Sequence, residues 1–163
     1  MTIQIGERIP EATVQYIDED GVQTIHSPPL FDGKQVLLFA VPGAFTPTCS
    51  ERHLPGYVEH YDAFKQRGIE VLCISVNDPF VMQAWGESQH VPSGLRMLAD
   101  GNADFTRALG LEMDGSGYGM GTRSKRYALY AEDGVVRDLQ VEAPGEFRVS
   151  AAEYMLARLT NGA

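Results

Sequence analysis

Cys49 is one of two cysteines in the chain, and it closes the run PGAFTPTC at residues 42–49. Thr46 lies three residues before it, Pro42 seven before it, and His53 four after it. A cysteine acts as nucleophile and reductant through its thiolate, so the surroundings of the sulfur decide whether it reacts. The segment Thr48-Cys49-Ser50-Glu51 has the T-x-x-E form of a capping box, which predicts an N-cap at Thr48 and Cys49 in the first helical turn. Free backbone N–H groups and the positive end of the helix dipole would there favour a thiolate. The Thr46 hydroxyl can act as donor or acceptor toward the sulfur or a substrate oxygen. Pro42 and Pro47 stiffen the loop and contribute no N–H.

Other residues compete for a chemical role. A cysteine beside a tight turn can also be buried and inert. Cys73 sits inside the apolar run VLCISV, where a cysteine packs as a small hydrophobe. A disulfide requires Cα atoms within about 7 Å, and a helix start beyond the sheet and a mid-strand position predict no direct bridge. A Cys–His pair one helical turn apart can suggest a hydrolase or half a metal site. No further ligand stands at metal-site spacing, so His53 reads as a local hydrogen-bonding or packing residue. The glycine-rich GSGYGMGT at 115–122 holds neither a dinucleotide fingerprint nor a P-loop. It reads as a flexible loop leading to Arg126. Arg123 and Lys125 read as solvated charges near the mouth that steer substrate. Taken alone, Arg126 reads as a strand-end surface cation.

The elements that must position these residues follow from the apolar pattern. VLLFAV (36–41) and IEVLCISV (69–76) read as short strands buried on both faces. Between them, Cys49 to Arg67 has helical spacing and stops at Gly68, which predicts a right-handed crossover between parallel strands. A second helix is expected over 78–90, a short strand over 95–100 and a short helix over 102–109. A hairpin is expected over 126–142, turning at Glu132-Asp133-Gly134. Ser150, with Glu153 three residues on, predicts a capped final helix over 151–159. The pattern gives a single three-layer α/β domain, residues 1–163, with a mixed central sheet. With 22 acids against 13 bases the net charge is −9, which argues against nucleic-acid binding or a basic membrane-surface role. The start MTIQIGERIPEATV shows no basic segment followed by an apolar one, so a reduced, cytoplasmic compartment is the expectation.

PGAFTPTC matches the P-x-x-x-T-x-x-C signature of the peroxiredoxins. With ISVNDPFVMQAW and RSKRYALYAEDGVV in the same order, the chain resembles the type II, mammalian peroxiredoxin-five-like subfamily across nearly its whole length. The resemblance implies a thioredoxin-like fold and reduction of hydroperoxides with no cofactor and no metal. It makes Cys49 the peroxidatic cysteine, which becomes a sulfenic acid. Thr46 would orient the peroxide, Pro42 would shield the sulfenic acid, and Arg126 would aim its charge at the reacting atoms. Mammalian members carry a resolving cysteine near the last helix, and VEAPGEFRVSAAEYML contains none. A single-cysteine cycle is therefore expected, resolved by an external thiol: glutathione with glutaredoxin, or thioredoxin. The resemblance also implies a homodimer.

Overall fold

The structure, a computed structural model, describes residues 1–160. Seven strands form one mixed sheet. They are β1 (Thr13–Asp18), β2 (Gly21–His26), β3 (Gln35–Ala40), β4 (Ile69–Ser75), β5 (Arg96–Ala99), β8 (Tyr127–Glu132) and β9 (Val135–Val141), in the order β2-β1-β5-β4-β3-β8-β9. β3, β4 and β5 run parallel, while β1 and β8 join antiparallel on either side. The remaining strands, β6 (Glu112–Asp114) and β7 (Thr122–Ser124), pair separately and carry the glycine-rich loop between them.

Because successive strand residues face opposite sides, β3 feeds two cores. Leu37 and Phe39 pack with Cys73 against α2 (Leu54–Glu59), α3 (Tyr61–Gln66), α4 (Pro79–Ser88) and α6 (Ala152–Thr160). Val36, Leu38 and Ala40 pack on the other face with α1 (Pro28–Phe31) and α5 (Asp104–Leu109). Helices on both faces of a mixed sheet make the expected three-layer, thioredoxin-like α/β arrangement. The β8–β9 hairpin turns at Asp133 and Gly134, both with positive φ (49° and 76°), as a two-residue turn between twisted strands requires.

Three local expectations are corrected. The helix over 49–67 is not continuous. Cys49–His53 forms a π-helical turn, in which the Leu54 N–H donates to the Cys49 carbonyl, and α2 and α3 are separated by non-helical dihedrals at His60. The π turn has a cause in the sequence. Pro55 lacks the N–H that would bond the Glu51 carbonyl, and its ring crowds that carbonyl, so the preceding turn widens by one residue. Thr48 is not an N-cap either. It has helical dihedrals (φ −62°, ψ −38°) and its side chain caps nothing, because the chain is already helical at Pro47 and proline suits the first helical position. Ser150 does not pair with Glu153. Its N–H and hydroxyl both donate to Glu142 Oε2, at 2.8 and 2.7 Å. The β1–β2 hairpin, turning at Glu19-Asp20 between TVQYID and GVQTIH, adds two strands to those expected.

Candidate active site

β3 ends at Ala40, and the chain crosses Pro42 and a turn over 43–46 before the π turn begins. Gly43 lies close to the glycine-rich loop: a Cβ there would stand 2.9 Å from the end of the flexible Met120 side chain and 3.2 Å from Thr46 Cγ2. Phe45 adopts φ +64°, a conformation a bulky residue holds only where its surroundings enforce it. Two fastenings do so. The Ala44 N–H donates to Asn77 Oδ1 (3.0 Å), and the Thr46 hydroxyl donates to the Gly43 carbonyl (2.6 Å). Thr46 thus spends its proton within the loop, and its oxygen lone pairs remain for an incoming donor.

Cys49 is fully buried. Arg126, just ahead of β8, reaches it across the sheet end, and its Nη2 donates to Cys49 Sγ at 3.2 Å. Arg126 Nη1 lies 2.9 Å from His53 Nδ1. A guanidinium can only donate, so Nδ1 accepts and the imidazole proton sits on Nε2. That nitrogen donates to the Ser150 carbonyl at 3.1 Å, where Tyr57 Oη also donates at 2.7 Å. His53 is completely buried, and burial first and the Arg126 charge second pull its pKa down to about 3. It is therefore a neutral acceptor that fixes the guanidinium plane. The far end of this chain of contacts is held by Glu142. Its carboxylate collects the N–H groups of Arg148 and Ser150, and its own N–H donates to the Arg126 carbonyl at 2.9 Å.

Pro42, Thr46, Cys49 and Arg126 thus lie at one end of the sheet, with the guanidinium on the sulfur. His53 was read from the sequence as a local hydrogen-bonding or packing residue, and its partner Arg126 was not foreseen. The C-x-x-x-H spacing was the available signal. Arg123 departs from its reading as a solvated charge. It is half-buried, and Nη1 donates to the Val76 carbonyl and Nε to the Met120 carbonyl, both at 2.8 Å. It ties the glycine-rich loop to the end of β4. Lys125 is exposed.

Cys73 lies in β4 opposite Phe39 and is buried and free. Burial, and then the negative charge of Cys49, push its thiol well above its ordinary value. Trp85 is a core residue whose Nε1 donates to Ser50 Oγ at 2.9 Å, whereas Phe80 is exposed. Among the described residues no three His, Cys, Asp or Glu side chains cluster as metal ligands, and no helix is long and apolar enough to cross a membrane.

The site can be compared with known proteins. The Redoxin family model matches residues 4–156. Peroxiredoxin-2E-2, chloroplastic, of Oryza sativa subsp. japonica is 49% identical, over 97% of this chain and 73% of its own length. Peroxiredoxin-2B of Arabidopsis thaliana is 45% identical over 96% of this chain and 98% of its own. Among solved structures, the reduced Prx3 of Vibrio vulnificus in complex with hydrogen peroxide superposes with a TM-score of 0.93. It is 52% identical and covers 97% of this chain and 99% of its own. The fold, the match over nearly the whole chain and these relatives agree: the chain belongs to the redoxin family and is a peroxiredoxin of the type II, peroxiredoxin-five-like kind, a thiol peroxidase.

Proposed function

We propose that this peroxidase reduces hydrogen peroxide and alkyl hydroperoxides through a sulfenic acid on Cys49, and that an external thiol completes the cycle. The observation that carries the reading is the Arg126 donor 3.2 Å from Cys49 Sγ, locked from behind by neutral His53. The Cys49 thiolate attacks one peroxide oxygen. The S–O bond forms as the O–O bond breaks, and the second oxygen leaves as water or alcohol after taking a proton. Charge moves from sulfur toward the leaving oxygen, so a fixed cation beside both atoms is worth more in the transition state than before it. Thr46, whose proton is committed to Gly43, accepts a hydrogen bond from the peroxide O–H. Pro42 screens the sulfenic acid from water and a second peroxide. No cofactor is required.

Cys73 supplies no resolving thiol in this reading, since it is buried, with its thiol pushed toward the neutral form. Glutathione with glutaredoxin, or thioredoxin, then reduces the sulfenic acid. Because Cys49 is fully buried in a single π turn, that turn opens to admit the reductant. Exposed Phe45, Phe80 and Tyr118 (55%, 65% and 86% exposed) support a homodimer joined through the loops and helix starts near the site. Thiol chemistry of this kind belongs in a reduced compartment such as the cytoplasm.

The test is hydroperoxide turnover by wild type, Cys49→Ser and Cys73→Ser, with the glutathione–glutaredoxin couple and separately with thioredoxin. Cys49→Ser is expected to be inactive and Cys73→Ser to be nearly normal with the glutathione couple. A folded but inactive Cys73→Ser protein would overturn the single-cysteine cycle.

A further inference from the structure

A groove of about 350 Å³ runs between the π turn with α2 and the segment leading into α6. It does not contain Cys49, yet it shares a wall with the site. Phe147, which lines it, packs 5.0 Å from the His53 ring, and the Arg126 guanidinium lies 5.9 Å from the Phe147 centroid. Glu51 and Arg52, from the π turn itself, line it together with Glu59 and, from α6, Glu153, which pairs with His60 at 3.6 Å. Arg52 lies over the Phe147 ring at 4.8 Å and makes none of the ion pairs found among the described residues. An exposed guanidinium on an aromatic platform, flanked by carboxylates, offers both signs of charge within one small concavity.

We propose that this groove binds the reducing thiol, and that the thiol it fits is glutathione, a small peptide with an amino-acid head at one end. The proposal rests on the external-thiol cycle above and names where the thiol docks. Arg52 takes the carboxylate of the γ-glutamyl head and Glu59 its ammonium. A zwitterionic head satisfies both, whereas a simple anion meets Glu51, Glu59 and Glu153 as like charges. The volume falls at the small end of the range for ligand sites, about 300–1,000 Å³. Position adds a reason. Phe147 lines the groove and packs on His53, four residues after Cys49, so a Cys49 released as the π turn opens emerges beside the groove. There the glutathione thiolate attacks the sulfenic sulfur. The S–S bond forms as the S–O bond breaks, and the departing hydroxide takes a proton to leave as water, giving the mixed disulfide.

The experiment pre-oxidises wild type, Arg52→Ala and Glu59→Gln with one equivalent of hydrogen peroxide. The rate of mixed-disulfide formation is then followed against glutathione concentration, and the rate of reduction against dithiothreitol, which has neither carboxylate nor ammonium. The peroxide step, recorded by stopped flow, reports that each protein is folded and competent. Wild type is expected to saturate with glutathione. Each variant is expected to need at least fivefold more glutathione for half-maximal rate, with dithiothreitol rates changed less than twofold. Equal slowing with both reductants, no change with either, a faster Glu59→Gln, or no saturation in wild type would overturn the groove assignment. A normal peroxide step beside any of those results leaves the peroxidase reading standing, whereas a wild type that peroxide fails to oxidise overturns both.

Discussion

The buried histidine behind Arg126 gives the fold a specific weakness to acid. His53 has a pKa of about 3 in the folded protein and about 6.5 in an unfolded chain. Below pH 6.5 the unfolded state therefore binds a proton that the folded state refuses, and stability falls with pH until the folded value is reached. The contribution is nearly intact at pH 7. At about 1.36 kcal/mol per unit, the unfolded state gains about 2 kcal/mol from this one group by pH 5. Glutamine offers an acceptor for Arg126 and a donor for the Ser150 carbonyl without titrating. Urea unfolding of wild type and His53→Gln at pH 7 and pH 5, under reducing conditions, isolates the term, because the other groups titrate alike in both proteins. Wild type is expected to lose about 2 kcal/mol more than the variant on going from pH 7 to pH 5. Equal losses in the two proteins would refute a neutral His53 as the backing for Arg126.

Arg126→Gln removes the charged donor from the sulfur, and the second-order rate of Cys49 oxidation by peroxide should fall about 10²- to 10³-fold in stopped-flow measurements. Arg126→Lys should recover only part of that, since a point charge cannot serve both Cys49 Sγ and His53 Nδ1 in the way a planar fork does. Thr46→Val should slow the same step by about 10- to 100-fold through loss of the hydroxyl, while Thr46→Ser should keep most of the rate. Away from the site, buried Asp138 meets Arg158 at 2.7 and 3.1 Å and joins β9 to α6. Burial alone would raise its carboxyl pKa, but the Arg158 contact and the bonds from Gln140 and Leu139 outweigh this and hold it low. Asp138→Asn should therefore cost about 1–3 kcal/mol at pH 7 in urea unfolding. The gap to wild type should close as the pH falls below about 3.9, where wild type begins to lose the same contribution.

The sheet was legible in the sequence wherever burial was total. VLLFAV and VLCISV have no polar face to misplace, and Asp133-Gly134 announces its turn. The N-terminal hairpin was harder, because β2 alternates half-buried and exposed residues and fully buries none. The two capping boxes failed for a shared reason. A hydroxyl three residues before a glutamate is a local signal, and at Thr48 and Ser150 other contacts decide the outcome: Pro47 starts the helix earlier, and Glu142 claims Ser150 from another strand end. Within the site, Thr46 and Cys49 announce themselves by spacing along one segment. Arg126 stands 77 residues from Cys49, and only the resemblance drew it in. The His53–Ser150 link spans 97 residues and leaves no local trace. Pro55, which forces the π turn around the cysteine, was visible throughout, but its effect on the turn before it shows only once the backbone is seen.

The most direct measurement is the site of sulfenic acid formation in a single turnover. The reduced protein is mixed with one equivalent of hydroperoxide and a sulfenic-acid trap, and the adduct is mapped by peptide mass spectrometry. One adduct is expected, on Cys49, formed as fast as peroxide disappears. It is expected to persist in Cys73→Ser and to be lost, with the peroxide consumption, in Cys49→Ser. An adduct on Cys73, or undiminished peroxide consumption by Cys49→Ser, would contradict the Cys49 assignment.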